Sequence, residues 1–263
     1  MDLMRVSLLA ALSVCIGCGG GSADDGGVIQ LGSGDMEIGQ TDSSLIDAMP
    51  VPDAAVGSAD AASGTSIEAT VRIINPATGQ GFSGVAVTGA DGAALTDGTG
   101  RATVPISLGL YQMRLEGPGA RPHTVWGVAG DASFEQITYM SPEMITAYVF
   151  GALGLMDDPA KGILVVGLDL PSLAPAIGAG ATVDLEHGLP FVFAGNQPAA
   201  GSVIPMGGQG FVTFPNVTPG EVSIATDYPN GGCQIFPAET DERSVEILAG
   251  EVTVVAFTCR SNP

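Results

Sequence analysis

The sequence predicts an all-β protein: two tandem β-sandwich modules joined by a short helix and preceded by a disordered tether. Three observations lead to this fold class. Glycine (39) and proline (18) are abundant among the 263 residues, which favours short strands and turns over long helices. Apolar and polar residues alternate in repeated short runs, as half-buried strands require. Asp-Gly pairs at 91–92 and 97–98, a dipeptide typical of tight hairpins, separate some of these runs.

The first 17 residues have the layout of an export signal. Arg5 precedes the apolar run VSLLAALSVCIG at 6–17, which is shorter than the ~20 residues that a membrane-spanning helix needs. Small residues then lead into cysteine twice, in LSVC and in CIGC. This arrangement resembles a bacterial lipoprotein signal, in which leucine and two small residues precede an invariant cysteine that carries the lipid.

The resemblance implies that a lipid on one of the two cysteines attaches the mature chain to a membrane. A small residue before it and the glycine-rich GGGS after it favour Cys18, whereas Val14 is unusual before the alternative, Cys15. A plain secretory signal without a lipid also stays open. Gly19 stands where lipoproteins retained at the inner membrane of well-studied Gram-negative bacteria tend to carry aspartate, so the resemblance points to the outer membrane.

A disordered, acidic tether is predicted over 18–65. Between 19 and 65 there are eight Asp or Glu residues, no Lys or Arg, and no aromatic residue. Such a segment cannot bury enough apolar surface to offset the entropy lost on ordering. We therefore expect it to hold the folded part away from the membrane.

The first β-sandwich is predicted over 66–140. Its central part, SGVAVTGADGAALTDGTGRATVPISLGLYQMRLEGPG, contains G-V-x-V, then T-D-x-x-G-x-A, then G-x-Y. In this order of motifs it resembles a carboxypeptidase regulatory-like domain, a transthyretin-like, Ig-like sandwich of about seven strands. The resemblance implies a fold and no activity. Tyr111, two residues after Gly109, is expected to pack its ring against the opposite sheet.

A second, more divergent sandwich is predicted over 162–263 from an internal repeat. The segment GRATVPISLGLYQM at 100–113 aligns with GFVTFPNVTPGEVSI at 210–224. Once the two N-terminal cysteines are assigned to the signal and the anchor, Cys233 and Cys259 remain. An exported protein is expected to pair two such cysteines in a disulfide, and two buried free thiols are the alternative.

A helical connector is predicted over 141–161. Ser141 is the expected N-cap and Pro142 the expected first helical residue, and apolar residues then recur at helical spacing. Two roles stay open for this helix: docking of a partner protein, or packing between the two sandwiches.

The residues that carry most enzyme chemistry are sparse in this sequence. A nucleophile elbow of the Gly-x-Ser-x-Gly type does not occur, and the single lysine, Lys161, is not part of a phosphate-binding loop. His123 and His187 fall in different modules, too far apart in sequence to predict a zinc site. No catalytic residue, metal ligand or cofactor is therefore predicted.

The net charge of the chain limits the classes of partner that we expect. With 28 acidic against 8 basic residues, the net charge of −20 repels phosphate backbones and argues against nucleic-acid binding. The favoured hypothesis is a non-enzymatic envelope lipoprotein that displays interaction or structural modules and meets an envelope protein or a glycan. The alternative is a carbohydrate-binding surface module, for which the single tryptophan, Trp126, is the candidate ligand residue.

Overall fold

The computed structural model describes residues 66–75, 79–90, 92–195, 197–229, 231–236 and 244–261. The first half contains β1 (Ser66–Ile74), β2 (Ala86–Gly89), β3 (Gly92–Leu95), β4 (Arg101–Ser107), β5 (Gly109–Glu116), β6 (His123–Ala129) and β7 (Phe134–Tyr139). Helix α1 (Glu143–Ala152) follows. The second half contains β8 (Gly162–Asp169), β9 (Gly180–Val183), β10 (Phe191–Ala194), β11 (Gln197–Ala200), β12 (Gly208–Val217), β13 (Gly220–Asp227), β14 (Gly231–Ile235), β15 (Ser244–Ile247) and β16 (Val252–Ser261). The predicted signal peptide, anchor cysteines and tether lie outside the described residues.

The strands form three sheets, and one of them runs through both halves of the chain. Two sheets have three strands each, in the orders β4-β1-β7 and β15-β13-β9. The third has ten strands: nine in the order β11-β10-β12-β8-β16-β6-β5-β2-β3, and β14, which pairs with β16. The predicted all-β class is confirmed. We call the ten-stranded sheet the shared sheet, because β6 belongs to the first half and β16 to the second.

The last strand of the chain joins the two halves. Residues Val252–Val255 of β16 pair in parallel with His123–Trp126 of β6. On its other side, β16 pairs in parallel with β8 from Val252 to Thr258. Strand β14 then pairs antiparallel with the distal part of β16. Strand β16 of the second half therefore lies between β8 of its own half and β6 of the first half and is hydrogen-bonded to both.

The strand pairing agrees with the predicted internal repeat. In the first half, β1 pairs antiparallel with β4 and parallel with β7. In the second half, β8 pairs antiparallel with β12 and parallel with β16. The aligned segments at 100–113 and 210–224 correspond to β4–β5 and β12–β13, and in both halves the second of these strands lies in the opposite sheet from the first. The two halves thus repeat one topology.

The two hydrophobic cores lie on opposite faces of the shared sheet. Successive side chains of a strand point to opposite faces. On β6, Val125 and Ala129 belong to the core of the first half, while Trp126 and Val128 pack against the core of the second half. The sheet β4-β1-β7 therefore covers one face of the shared sheet, and β15-β13-β9 covers the other.

Helix α1 packs against the second-half part of the shared sheet. Its two buried residues, Val149 and Phe150, form a small cluster with Ile163, Phe191 and other apolar residues of β8, β10 and β16. The contacts of these two side chains are thus with strands of the second half. No helix among the described residues is long and apolar enough to cross a membrane.

The start of α1 differs from the prediction. Pro142 occupies the N-cap position with φ −53° and ψ 144°, and no side chain makes a capping hydrogen bond. Ser141 lies one position too early to cap. The fixed φ of proline fits the extended backbone of an N-cap as well as the first helical turn, and here the extended state prevails.

Tyr111 packs as expected. Its ring is buried on β5 and lies 5.7 Å, centroid to centroid, from the ring of Phe134 on β7, in the opposite sheet. Its hydroxyl donates a hydrogen bond of 2.6 Å to Oε1 of the buried Gln136. The tyrosine thus ties the two sheets of the first half together through both its apolar ring and its polar end.

Candidate functional site

The predicted disulfide is present and structural. Cys233 and Cys259 are cross-strand partners on β14 and β16, with an S–S bond of 2.08 Å. Both cysteines are buried in the second core, at 1% and 0% exposure. Since neither sulfur is accessible, the bond serves the fold instead of an exposed redox site. Cys18 and Cys15, the lipidation candidates, are not among the described residues.

Trp126 does not offer an exposed aromatic platform. It is half-buried on β6 between Gln112 of β5 and Val255 of β16, and its ring packs against the second core. Its indole nitrogen is buried and makes no hydrogen bond to any described residue. A stacking site for sugars requires an accessible ring face, so the tryptophan gives the carbohydrate hypothesis little support.

A shallow cleft of about 390 Å³ lies beside β5, past the point where its pairing with β2 ends. Within β5, which begins at Gly109, only Arg114–Glu116 pair with β2. The cleft lies along the part of β5 that β2 leaves unmatched and is lined by apolar Leu110 and Ile106 and by polar Thr88, Gln112 and Arg114, among others. No sequence pattern predicted it, because it follows from where the pairing of two strands stops.

Arg114 is the charged group of the cleft, and its charge is already matched. Its Nε lies 2.8 Å from Oε1 of Glu116, and its Nη1 lies 2.6 Å from Oε1 of Glu251. The hydrogen bond with Glu116, followed by the attraction of Glu251, raises the pKa of Arg114 above its usual value. Oε2 of Glu251 also accepts a hydrogen bond of 3.0 Å from the buried hydroxyl of Thr124. The guanidinium is therefore held by carboxylates of both halves.

The groups that line the cleft favour binding over proton transfer. Besides Arg114, its only titratable lining residue is Tyr111, whose pKa is raised well above the usual value by burial. Neither side chain exchanges a proton near neutral pH, as a general acid or base must. The polar side chains of its lining include Thr88 and Gln112, and Leu110 is an exposed apolar one.

The two histidines lie in different surroundings. His123 is buried at the start of β6, and burial lowers its pKa to about 4, so the ring is neutral at pH 7. Its Nδ1 donates to the carbonyl oxygen of Arg121 at 2.8 Å. His187 packs edge-on against Phe214, with ring centroids 5.1 Å apart. Within the described ranges, no group of three or more His, Cys, Asp or Glu residues could hold a metal ion.

Asp169, which the sequence did not single out, is a perturbed carboxyl at the end of β8. Burial raises its pKa to about 7. Its Oδ1 is buried without a hydrogen-bond partner among the described residues and lies against Gly210 on β12, where a Cβ would collide with it. The only signal in the sequence was an aspartate within the apolar run ILVVGLDL. It stands apart from the cleft, so we treat it as a feature of stability.

Comparison with known proteins does not assign the chain to a family. No family model and no curated protein matches the sequence. Solved structures that match include the Bacillus anthracis TIE protein (11% identity, TM-score 0.25), where the match covers 75% of this chain and 34% of that one. The match to the shaft pilin SpaA of Lactobacillus rhamnosus GG (7% identity, TM-score 0.24) covers 76% of this chain and 100% of that one. A streptococcal ancillary pilin (14% identity, TM-score 0.23) is covered over 63% of its length by 75% of this chain.

These similarities are distant. The chain spans about a third of the length of the Bacillus anthracis TIE structure that it matches. All three TM-scores are below 0.5 and all three identities are below 25%, so the likenesses carry no conclusion about the role of this chain. The all-β class rests on the strands and sheets described above.

Proposed function

We propose that this chain is an exported envelope lipoprotein whose two β-sandwiches act together as a non-enzymatic interaction module. The observation that carries the proposal is the shared sheet. Because β16 is hydrogen-bonded to both β8 and β6, the sandwiches form one body instead of two domains joined by a hinge. One body presents its surfaces in a fixed relative orientation, which suits display and docking.

The disulfide supports export. Structural disulfides form and persist in oxidising compartments outside the cytoplasm. The Cys233–Cys259 bond is buried in the core and joins the last strand of the chain to β14. A protein that folds around such a bond is suited to the space beyond the cytoplasmic membrane, which is where a lipoprotein signal would deliver it.

The chemistry of the described residues supports binding. The groups of the cleft keep their protons near neutral pH, and the perturbed groups Asp169 and His123 are not part of its lining. The lipid anchor at Cys18 and the acidic tether are inferences from the sequence. In the proposal they place the double sandwich at the membrane surface with its interaction surfaces turned towards the envelope.

The mass of the mature N-terminal peptide, isolated from whole cells, tests the anchor. We expect a chain that begins at Cys18 and carries a diacylglyceryl group. The matched variants are Cys18→Ser, which should lose the lipid mass and release the protein from the membrane fraction, and Cys15→Ser, which should leave both unchanged.

Three results would count against parts of the proposal. An unmodified N-terminus at another residue would mean a freely secreted protein. A lipid on Cys15 would keep the anchor but correct its position. Retention of the uncleaved signal in the cytoplasm would overturn export altogether.

A further inference from the structure

The outward face of helix α1 is apolar beyond its first residue, Glu143. The exposed residues that follow are Met144, Ala147, Tyr148, Gly151 and Ala152, at the spacing of a single helical face. Met144 is 77% exposed and Tyr148 is 64% exposed. The solvent side of a surface helix normally carries charged residues, and none of these five is charged.

The segment after α1 extends this face. Met156 is 85% exposed. Its neighbour Asp157 pairs with Arg121, and the same guanidinium lies 3.9 Å from Glu143 in the first turn of the helix. The shared guanidinium places the carboxylate of Asp157 close to that of Glu143, so the segment that carries Met156 lies by the first turn of α1, which includes Met144. We call Met144, Tyr148 and Met156 the methionine–tyrosine patch.

The charge around this patch is negative towards solvent. In the pairs at its edge, the base is more shielded than the acid: Arg121 is 12% exposed, whereas Glu143 is 67% and Asp157 is 35% exposed. The pair of Lys161 with Glu186 shows the same order of exposure, at 27% for the base and 81% for the acid. An approaching molecule therefore meets carboxylates at the rim and apolar side chains in the middle.

We propose that the methionine–tyrosine patch docks a basic amphipathic polypeptide segment of a partner protein, with apolar side chains on the patch and Lys or Arg on the rim. Methionine side chains adapt to varied apolar surfaces, and tyrosine adds rigid contact area. This proposal deepens the proposed function and rests on it, since it names the partner class of the interaction module.

Charge and size argue against the other occupants. A second copy of this chain carries a net charge of −20, and the acidic segment at 19–65 has no base, so the rim repels both. Anionic lipid is repelled for the same reason. A ten-residue helix is roughly 15 Å long. One face of such a helix is smaller than the ~800 Å² that each partner buries in a stable dimer, and its length matches one short peptide segment.

A binding assay with a defined peptide tests the proposal. The probe is a fluorescein-labelled 14-residue Leu/Lys amphipathic peptide, and its Leu/Glu counterpart is the charge control. Fluorescence anisotropy with the full mature chain should show binding of the Leu/Lys peptide only, weaker at high salt. The double variant Met144→Ser, Tyr148→Ser keeps every charge and should weaken binding at least tenfold.

A matched variant separates the patch from the acidic surface as a whole. Leu95 and Leu108 are exposed apolar residues of the first half, at 70% and 41%. The double variant Leu95→Ser, Leu108→Ser should bind the peptide as the wild type does. Equal affinities of both double variants, or no binding by any protein, would overturn the proposal. All variants replace exposed side chains, and circular dichroism checks their fold.

Two further outcomes would assign the patch to another occupant and so overturn the proposal. One is a dimer in analytical ultracentrifugation that the Met144→Ser, Tyr148→Ser variant abolishes. The other is binding to vesicles with 30% anionic phospholipid that the same variant abolishes. None of these results changes the mass of the mature N-terminal peptide, so a failure here is distinct from a failure of the proposed lipoprotein.

Discussion

Arg114 and Glu251 lie in opposite halves of the chain, and Nη1 of the arginine is 2.6 Å from Oε1 of the glutamate. The glutamate side chain is only 10% exposed and directly precedes β16, and the arginine lies on β5. The second oxygen of Glu251 accepts the hydroxyl hydrogen of Thr124, which is fully buried. One carboxylate therefore holds a charged and a neutral donor of the first half against the last strand of the second.

The first prediction concerns this contact. Glu251→Ala should destabilise the protein by about 1–3 kcal/mol, because it leaves the buried Thr124 hydroxyl without its acceptor and removes a counter-charge of Arg114. Urea denaturation measures the change. The control is Glu135→Ala, which breaks the 2.9 Å pair with Arg101 at a surface position and should cost less than about 1 kcal/mol. Equal losses would mean that Glu251 does not join the halves.

The second prediction is that both halves unfold together. Since β16 is hydrogen-bonded to β6 and β8, melting either half exposes strands of the other. Trp126 lies at this junction and is the only tryptophan, so its fluorescence reports on it directly. Its fluorescence and far-ultraviolet circular dichroism should give coincident urea transitions. Two separate transitions would show that the sandwiches are independent despite the shared sheet.

The third prediction concerns a close approach at Gly127. A Cβ here would collide with the ring and hydroxyl of Tyr111 and lie 2.8 Å from the carbonyl oxygen of Phe236. Gly127→Ala should therefore cost about 1–3 kcal/mol of stability through overpacking. Gly130→Ala, three residues later, meets nothing within 4 Å and should change stability by less than about 0.5 kcal/mol. Thermal denaturation of both variants makes the comparison.

The fourth prediction is a pH dependence from Asp169. Its folded pKa is raised to about 7, above the unfolded value of 3.8, so the folded state holds more protons between these values. The contribution of Asp169 to stability is therefore fully present below about pH 4 and is lost as the pH rises through 7. Asp169→Asn should remove this loss and stabilise the protein at pH 8, by up to about 4 kcal/mol.

A matched charge change isolates this effect from the general repulsion among acidic groups. Asp227→Asn removes the same charge from an exposed position on β13. Urea denaturation at pH 5 and pH 8 should show that only Asp169→Asn gains more stability at the higher pH. A similar gain for both variants would mean that the net charge of the protein, and not burial at Asp169, sets its pH dependence.

The fifth prediction concerns the disulfide. Its cysteines are 26 residues apart, and on the chain-entropy model its loss costs roughly 3–4 kcal/mol. The double variant Cys233→Ala, Cys259→Ala should show this loss in urea denaturation. In the native wild type, peptide mapping after alkylation without reductant should find neither cysteine modified. Ready alkylation of both would mean that the bond does not form in the cell.

Local patterns in the sequence were sufficient to predict most strands and several contacts within each half. Alternating residues at 66–74 predicted β1, and the repeat at 100–113 and 210–224 predicted the common topology of the halves. The packing of Tyr111 and the pairing of Cys233 with Cys259 were also predicted, because each follows from a short motif or from cysteine chemistry.

Contacts between the halves were not predicted. The run VTVVAFTC of β16 has apolar residues on both faces, which is how a strand buried on both sides appears in sequence. Such a pattern indicates that the strand is buried on both faces, but it does not identify the strands that pair with it. The pairing of β16 with β6 was therefore not predicted. The Arg114–Glu251 contact and the cleft were missed for the same reason, since both depend on that pairing or on where another pairing ends.

The central place of β16 has a consequence for the order in which the chain can fold. It follows the other described strands in the chain, and it fills the position between β8 and β6. Until it arrives, both strands present unpaired edges, and the shared sheet stays divided. Contacts between such distant residues form slowly. The shared sheet thus becomes continuous only when β16 has paired with strands of both halves.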